Sequence, residues 1–248
     1  MNRLLLFVRK TWRVLFFLNG AMVFFILFPA IYISLLRESW FPFAFRLKKT
    51  VARFMIFNTG ISYRVHFKGT LDRKKPYVYC PNHTSFLDII LSYLVIPQYF
   101  HFVAKGELKK VPLFNVFFRR MDIAFDRGSL RDSHRAFVRA ASDIDKGISI
   151  AIFPEATIPE HAPRLRHFKN GPFRLAIDKQ VPIVPVTFKN NWRILPDGRK
   201  GKKGGRPGRA EIIIHAPVET TGMGENDVSL LRSRVFEVID AELRKDPV

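Results

Sequence analysis

Residues 14–36 pass without a single charged side chain, a run of 23 residues. As one helix at ~1.5 Å per residue, such a run reaches across a hydrocarbon core of ~30 Å, so it must meet either lipid or the interior of the fold. A signal peptide is a poor match. Its apolar region is usually only ~7–15 residues long, and Arg37-Glu38-Ser39-Trp40 offers no small-residue cleavage site. Arg3, Arg9, Lys10 and Arg13 precede the run, and Arg37, Arg46, Lys48, Lys49 and Arg53 follow it. With cations on both sides, the positive-inside rule gives no direction. Two geometries stay open: a dip into one leaflet with a bend near Asn19-Gly20 or Pro29, and a single tilted span. Next, Phe43, Leu47, Val51 and Phe54 recur at helical spacing with Arg46, Lys49 and Arg53 on another face. That pattern describes an interfacial amphipathic helix, and its alternative is a core-facing helix with a solvated side. Residues 1–58 are accordingly expected to form a membrane-associated helical motif.

With 41 basic and 21 acidic side chains, the formal charge is +20, which favours polyanionic partners without choosing among them. The 25 Phe residues, several beside cations near the N-terminus, favour a lipid surface over nucleic acid. No nucleic-acid recognition motif is present, and no nucleic-acid partner is expected. The single cysteine, Cys80, excludes an internal disulfide framework and fits a reducing compartment. No Cys/His set has zinc-ligand spacing, and no metal is expected.

From residue 59 to 248 the pattern is that of one α/β domain. Short apolar runs at 63–67, 77–80, 100–104, 122–125, 148–153, 183–188 and 211–215 read as strands, several continuously apolar as in a sheet covered on both faces. Helical stretches at 129–146, 172–179 and 227–245 alternate with them. The expected fold is α/β: a layered domain with a largely parallel or mixed sheet flanked by helices, plus the N-terminal helical segment. The glycine-rich basic stretch 198–209, holding Arg199, Lys200, Lys202, Lys203, Arg206 and Arg209, is expected to be exposed and mobile.

Chemistry concentrates at strand ends. Cys80-Pro81-Asn82-His83 follows an apolar strand and precedes an apolar helix that contains Asp88. Within a regular helix a pair five residues apart is ~140° apart, so His83 and Asp88 meet only across the strand-to-helix turn. There Asp88 would hold one imidazole nitrogen and leave the other to take a proton from a hydroxyl. Phe153-Pro154-Glu155 places a second carboxylate at a strand end, Phe125-Asp126-Arg127 places a guanidinium, and Val181-Pro182-Ile183 opens a further strand.

In that order and spacing, these blocks resemble the lysophospholipid acyltransferase family, typified by bacterial 1-acyl-glycerol-3-phosphate acyltransferases, over roughly residues 60–190. The H-x4-D block is Asn82 to Asp88. The second block is Phe125-Asp126-Arg127, the third runs from Phe153 to Phe173, and the fourth from Val181 to Val186. The resemblance implies that His83 is the general base and Asp88 its orienting carboxylate. Arg127 would bind the acceptor phosphate and Glu155 would shape the acceptor site with Thr157. Lys105 is a second cationic candidate. No cofactor is implied: acyl-CoA or acyl carrier protein is a substrate, the acceptor is a lysophospholipid, and membrane lipids are partners. The family pattern also implies the cytoplasmic side of the inner membrane.

One departure bears on the acceptor. The family's third block usually reads Glu-Gly-Thr-Arg, whereas this chain has Glu155-Ala156-Thr157-Ile158. Ala156 is a mild change unless the position needs φ above zero. Ile158 removes a phosphate ligand, for which Arg164, Arg166 or Lys169 are the candidate replacements. The leading expectation is acylation of 1-acyl-glycerol-3-phosphate to phosphatidic acid. The alternatives are another acceptor, such as a lyso-aminolipid, and a non-enzymatic basic protein binding anionic lipid or nucleic acid.

Overall fold

A computed structural model of the chain describes residues 3–110, 113, 115–126, 128–197 and 204–245. Two N-terminal helices, α1 (Arg3–Ser34) and α2 (Phe41–Phe57), form an antiparallel pair. α1 runs as one helix through both Asn19-Gly20 and Pro29. The Asn19-Gly20 pair serves the contact with α2. The Asn19 side chain donates to the Phe54 and Met55 carbonyls and accepts from Asn58, while Gly20 lies where a Cβ would collide with the Met55 thioether.

Seven strands follow among the described residues: β1 (Ile61–Phe67), β2 (Val78–Pro81), β3 (Phe100–Lys105), β4 (Ile123–Phe125), β5 (Ser149–Ile152), β6 (Ile183–Phe188) and β7 (Gly208–Ile214). They form one sheet in the order β1-β7-β6-β2-β5-β3-β4, parallel throughout except for β6 against β7. This is the expected mixed α/β sheet. The strands interleave with α3 (Phe86–Val95), α4 (Asn115–Arg120), α5 (Leu130–Asp145), α6 (Gly171–Asp178), α7 (Asn191–Ile194) and α8 (Val228–Arg244).

Both faces of the sheet are covered, which is why β2 and β6 are buried at every residue. On one face Tyr79, Phe100, Val184 and Val186 pack with Leu87 and Leu91 of α3 and with Phe16, Ile31, Leu35 and Phe45 of the helical pair. On the other, Val78, Cys80, Ile150 and Ile183 pack beneath α5, α6 and α8. Alternate residues of β2 thus feed two separate cores, the period-2 geometry of a strand.

The helical pair therefore has two apolar faces. α1 buries Phe16, Val23, Phe24 and Ile31, yet leaves Phe7, Leu15, Leu18, Phe25 and Ile26 exposed, and it is long and apolar enough to cross a membrane. In α2 the face toward the sheet is Phe41, Ala44, Phe45, Lys48, Ala52 and Ile56. Of the stripe read from spacing, Leu47 and Val51 are half-buried against that core and Phe43 and Phe54 are exposed. Lys48, which reads as one more flanking cation, is instead buried and paired with Asp122 at 2.5 Å. The same carboxylate accepts the Phe102 N–H through its other oxygen.

The basic stretch is only partly as expected. Arg199, Lys200, Lys202 and Lys203 lie outside the described residues. Gly204 and Gly205, however, are buried against α1, with the Gly205 N–H on the Arg9 carbonyl, and Arg209 belongs to β7. The missing side chains permit that approach, since a Cβ on Gly205 would enter the Trp12 ring.

Candidate active site

Three adjacent parallel strands, β6, β2 and β5, end on the same edge of the sheet, where open α/β sheets place their ligand sites. His83 follows β2, Glu155 follows β5 and Asn191 follows β6. Chains this far apart in sequence meet because the strand register fixes their ends side by side, about 4.8 Å per strand.

The turn between β2 and α3 brings His83 and Asp88 together. Ser85 is the helix N-cap: its side chain accepts from the Leu87 N–H, and Asp88 reaches back to the turn. Asp88 Oδ2 takes the Thr84 N–H at 2.5 Å, the Ser85 N–H at 2.8 Å and His83 Nδ1 at 3.0 Å. The carboxylate is fully buried, and the imidazole is 12% exposed. An ionised carboxylate only accepts, so Nδ1 carries a proton, and in the neutral ring Nε2 presents its lone pair. The ring lies on Phe153, with centroids 4.1 Å apart, and Phe153 in turn stacks on Phe102.

Glu155 joins the site through the backbone. Its Oε1 accepts the His83 N–H and its Oε2 accepts the Arg166 N–H, each at 2.8 Å. Burial pushes this carboxyl up to about 7, against the two N–H donors that favour the charged form. Ala156 adopts φ +67°, the left-handed region, so this position has the backbone requirement that glycine meets without strain.

The other expected residues are placed as follows. Thr157 is half-buried and Ile158 buried in the same loop; Arg164, Arg166 and Lys169 expose their side chains. Of these three, Arg166 is joined to His83 through the two oxygens of Glu155. Lys105, at the end of β3, is exposed and paired with Glu107 at 2.5 Å. Arg127 lies outside the described residues.

Two further residues of the H-x4-D block, Asn82 and Ser85, and one outside the blocks, Asn191, complete the site. The Asn82 side chain spans the sheet, donating to the Phe188 carbonyl and accepting the Phe188 N–H. Ser85 Oγ donates to the Leu195 carbonyl at 2.6 Å. Asn191 Nδ2 donates to Asp88 Oδ1 at 2.7 Å. The position of Asn191 just beyond a strand was its available signal, the same rule that pointed to His83 and Glu155. Among the described residues, no cluster of His, Cys, Asp and Glu could hold a metal ion.

The family model described as Acyltransferase matches residues 62–189, and the chain belongs to that family. It is 32% identical over 168 residues to a chloroplastic 1-acyl-sn-glycerol-3-phosphate acyltransferase of Arabidopsis thaliana, covering 66% of this chain and 45% of that protein. It is 30% identical over 172 residues to 1-acyl-sn-glycerol-3-phosphate acyltransferase alpha of Mus musculus, covering 68% of this chain and 58% of that one. The chain thus spans about half the length of these curated relatives. In fold it is similar to the solved 1-acyl-sn-glycerophosphate acyltransferase PlsC of Thermotoga maritima. The TM-score is 0.75 at 22% identity, over 96% of this chain and 97% of that one.

Proposed function

We propose that this protein transfers a fatty acyl group from an acyl thioester to the free hydroxyl of 1-acyl-sn-glycerol-3-phosphate, giving phosphatidic acid. The observation that carries this reading is the His83–Asp88 pair. Nδ1 is held by a buried carboxylate, and Nε2 has no hydrogen-bond partner among the described residues. In the reaction the hydroxyl oxygen attacks the thioester carbonyl carbon while its proton passes to Nε2. Collapse of the tetrahedral intermediate breaks the C–S bond, and the leaving thiolate takes that proton back from the imidazolium. No acyl-enzyme intermediate is needed. The relatives' names support the lysophosphatidic acid acceptor.

Arg127 would hold the acceptor phosphate, a task for which a forked guanidinium is suited. Arg164, Arg166, Lys169 and Lys105 supply further positive charge, and Glu155 and Thr157 shape the loop beside the base. The donor is acyl-CoA or acyl carrier protein. Residues 1–58 act as the membrane-associated motif and 59–248 as the catalytic domain, on the cytoplasmic side of the inner membrane. The exposed apolar face of α1 and the exposed Trp40, Phe43 and Phe54 support that division.

The test is purified protein in detergent with acyl thioester and labelled lysophosphatidic acid. Diacyl product should form, and His83→Ala should abolish it; undiminished product from the variant would sink the mechanism. A second acceptor class is favoured by one observation, the burial of Ile158 where the family has an arginine. A panel of lyso-lipids with and without phosphate separates the two, and preference for a phosphate-free acceptor would overturn the first choice.

A further inference from the structure

We infer that Asn191 is a positioning residue for the reaction: it fixes the Asp88 carboxylate so that His83 keeps its basic nitrogen toward the acceptor. The inference rests on the reading of His83 as the base. Asn191 is fully buried at the start of α7, immediately beyond β6 and 103 residues from Asp88 in sequence. The two oxygens of Asp88 have different company. Oδ2 takes two backbone N–H groups and His83 Nδ1, whereas Oδ1 has Asn191 Nδ2 at 2.7 Å and only the distant Thr84 hydroxyl at 3.5 Å. Asn191 is therefore the one close donor to Oδ1 among the described residues.

The amide itself shows which of its ends matters. Asn191 Oδ1 is buried and has no hydrogen-bond partner among the described residues. Buried polar atoms are rarely left so, and turning the amide over would set its oxygen against a carboxylate. The side chain is thus retained in the orientation that serves Asp88. Three further bonds tie the same segment to the H-x4-D turn, Ser85 Oγ to the Leu195 carbonyl and the pair between the Asn82 side chain and the Phe188 backbone, but none touches the carboxylate. The ionisable groups facing Asp88 are His83 and Glu155, the latter answering in turn to Arg166.

Asn191→Ala and Asn191→Asp test this by pH–rate profiles, with melting curves recorded alongside. Loss of the donor should lower kcat about tenfold, with KM within about twofold, because Asn191 is fully buried behind Asp88. The aspartate variant is nearly isosteric and places two carboxyls in contact, which must share one proton near neutrality. It should work close to the native rate while that proton is held. It should then acquire a descending alkaline limb absent from the native profile, as loss of that proton sets two carboxylates against each other and pushes Asp88 away from His83 Nδ1. A purely structural role would lower melting temperature without creating that limb. Native-like profiles for the variants would overturn the inference. If Asn191→Ala does not fold, the aspartate profile alone decides. His83→Ala run in parallel separates the two levels: activity in that variant defeats the base itself, whereas its inactivity beside native-like Asn191 variants defeats only this residue's role.

Discussion

The His83 N–H and Glu155 Oε1 are 2.8 Å apart, so the carboxylate that follows β5 fixes the backbone of the histidine that follows β2. Its other oxygen reaches forward to the Arg166 N–H, so one buried side chain joins two strand-end loops. The cost is electrostatic. Burial outweighs both N–H donors and lifts Glu155 from its ordinary 4.5 to about 7.

That displacement makes stability depend on pH with a definite sign. The folded state holds the Glu155 proton more tightly than the unfolded chain. Stability should therefore fall as pH rises between about 4.5 and 7, and level off above that. The change from this group is about 3 kcal/mol at most. Denaturant midpoints across the window for native protein and Glu155→Gln check it, since the amide has no proton to lose and its curve should be flatter there.

The stack of His83 on Phe153 should matter more for turnover than for folding. An aromatic face lies beneath the ring, and it would stabilise the imidazolium that the proposed proton transfer forms. Phe153→Leu keeps the apolar volume and loses that face. We expect kcat to drop about tenfold with KM held, read from initial rates; equal effects on both parameters would point to binding instead.

Ala156 offers a stabilising substitution. At φ +67° a Cβ is strained, and Ala156→Gly should relieve it by about 1 kcal/mol, after the extra entropy of an unfolded glycine is subtracted. In a chain of this size that is a rise of about 2–4 °C in Tm, measurable by thermal denaturation.

The buried Lys48–Asp122 pair anchors α2 to the sheet, and removing one partner strands the other charge. Lys48→Met should lose about 3 kcal/mol or more, whereas replacing Lys48 and Asp122 together by apolar residues should recover part of it. Urea midpoints for the single and double variants check this.

The central strands were legible because they are apolar runs bounded by turn residues; the continuous burial of β6 is written in Ile183–Phe188 itself. His83 and Glu155 were legible by position, each at the end of such a run. Lys48 was not, because its partner Asp122 lies 74 residues away, and nothing local separates a buried lysine from a flanking one. Asn191 needed the register of β6 against β2 before its reach to Asp88 could be seen. The backbone of Ala156 was hidden for another reason: alanine is a residue that ordinarily avoids the conformation found there.

The helical pair that presents apolar side chains outward also supplies Phe16, Phe24, Ile31, Leu35 and Phe45 to the core over the sheet. Its attachment is reinforced by Trp12 on the Thr59 carbonyl and Arg13 on the Pro196 carbonyl, just past the segment that touches the H-x4-D turn. Proteolytic removal of this pair would therefore not release a free-standing α/β domain. It would strip one wall from the sheet, expose Tyr79 and Phe100, and turn cleavage into unfolding.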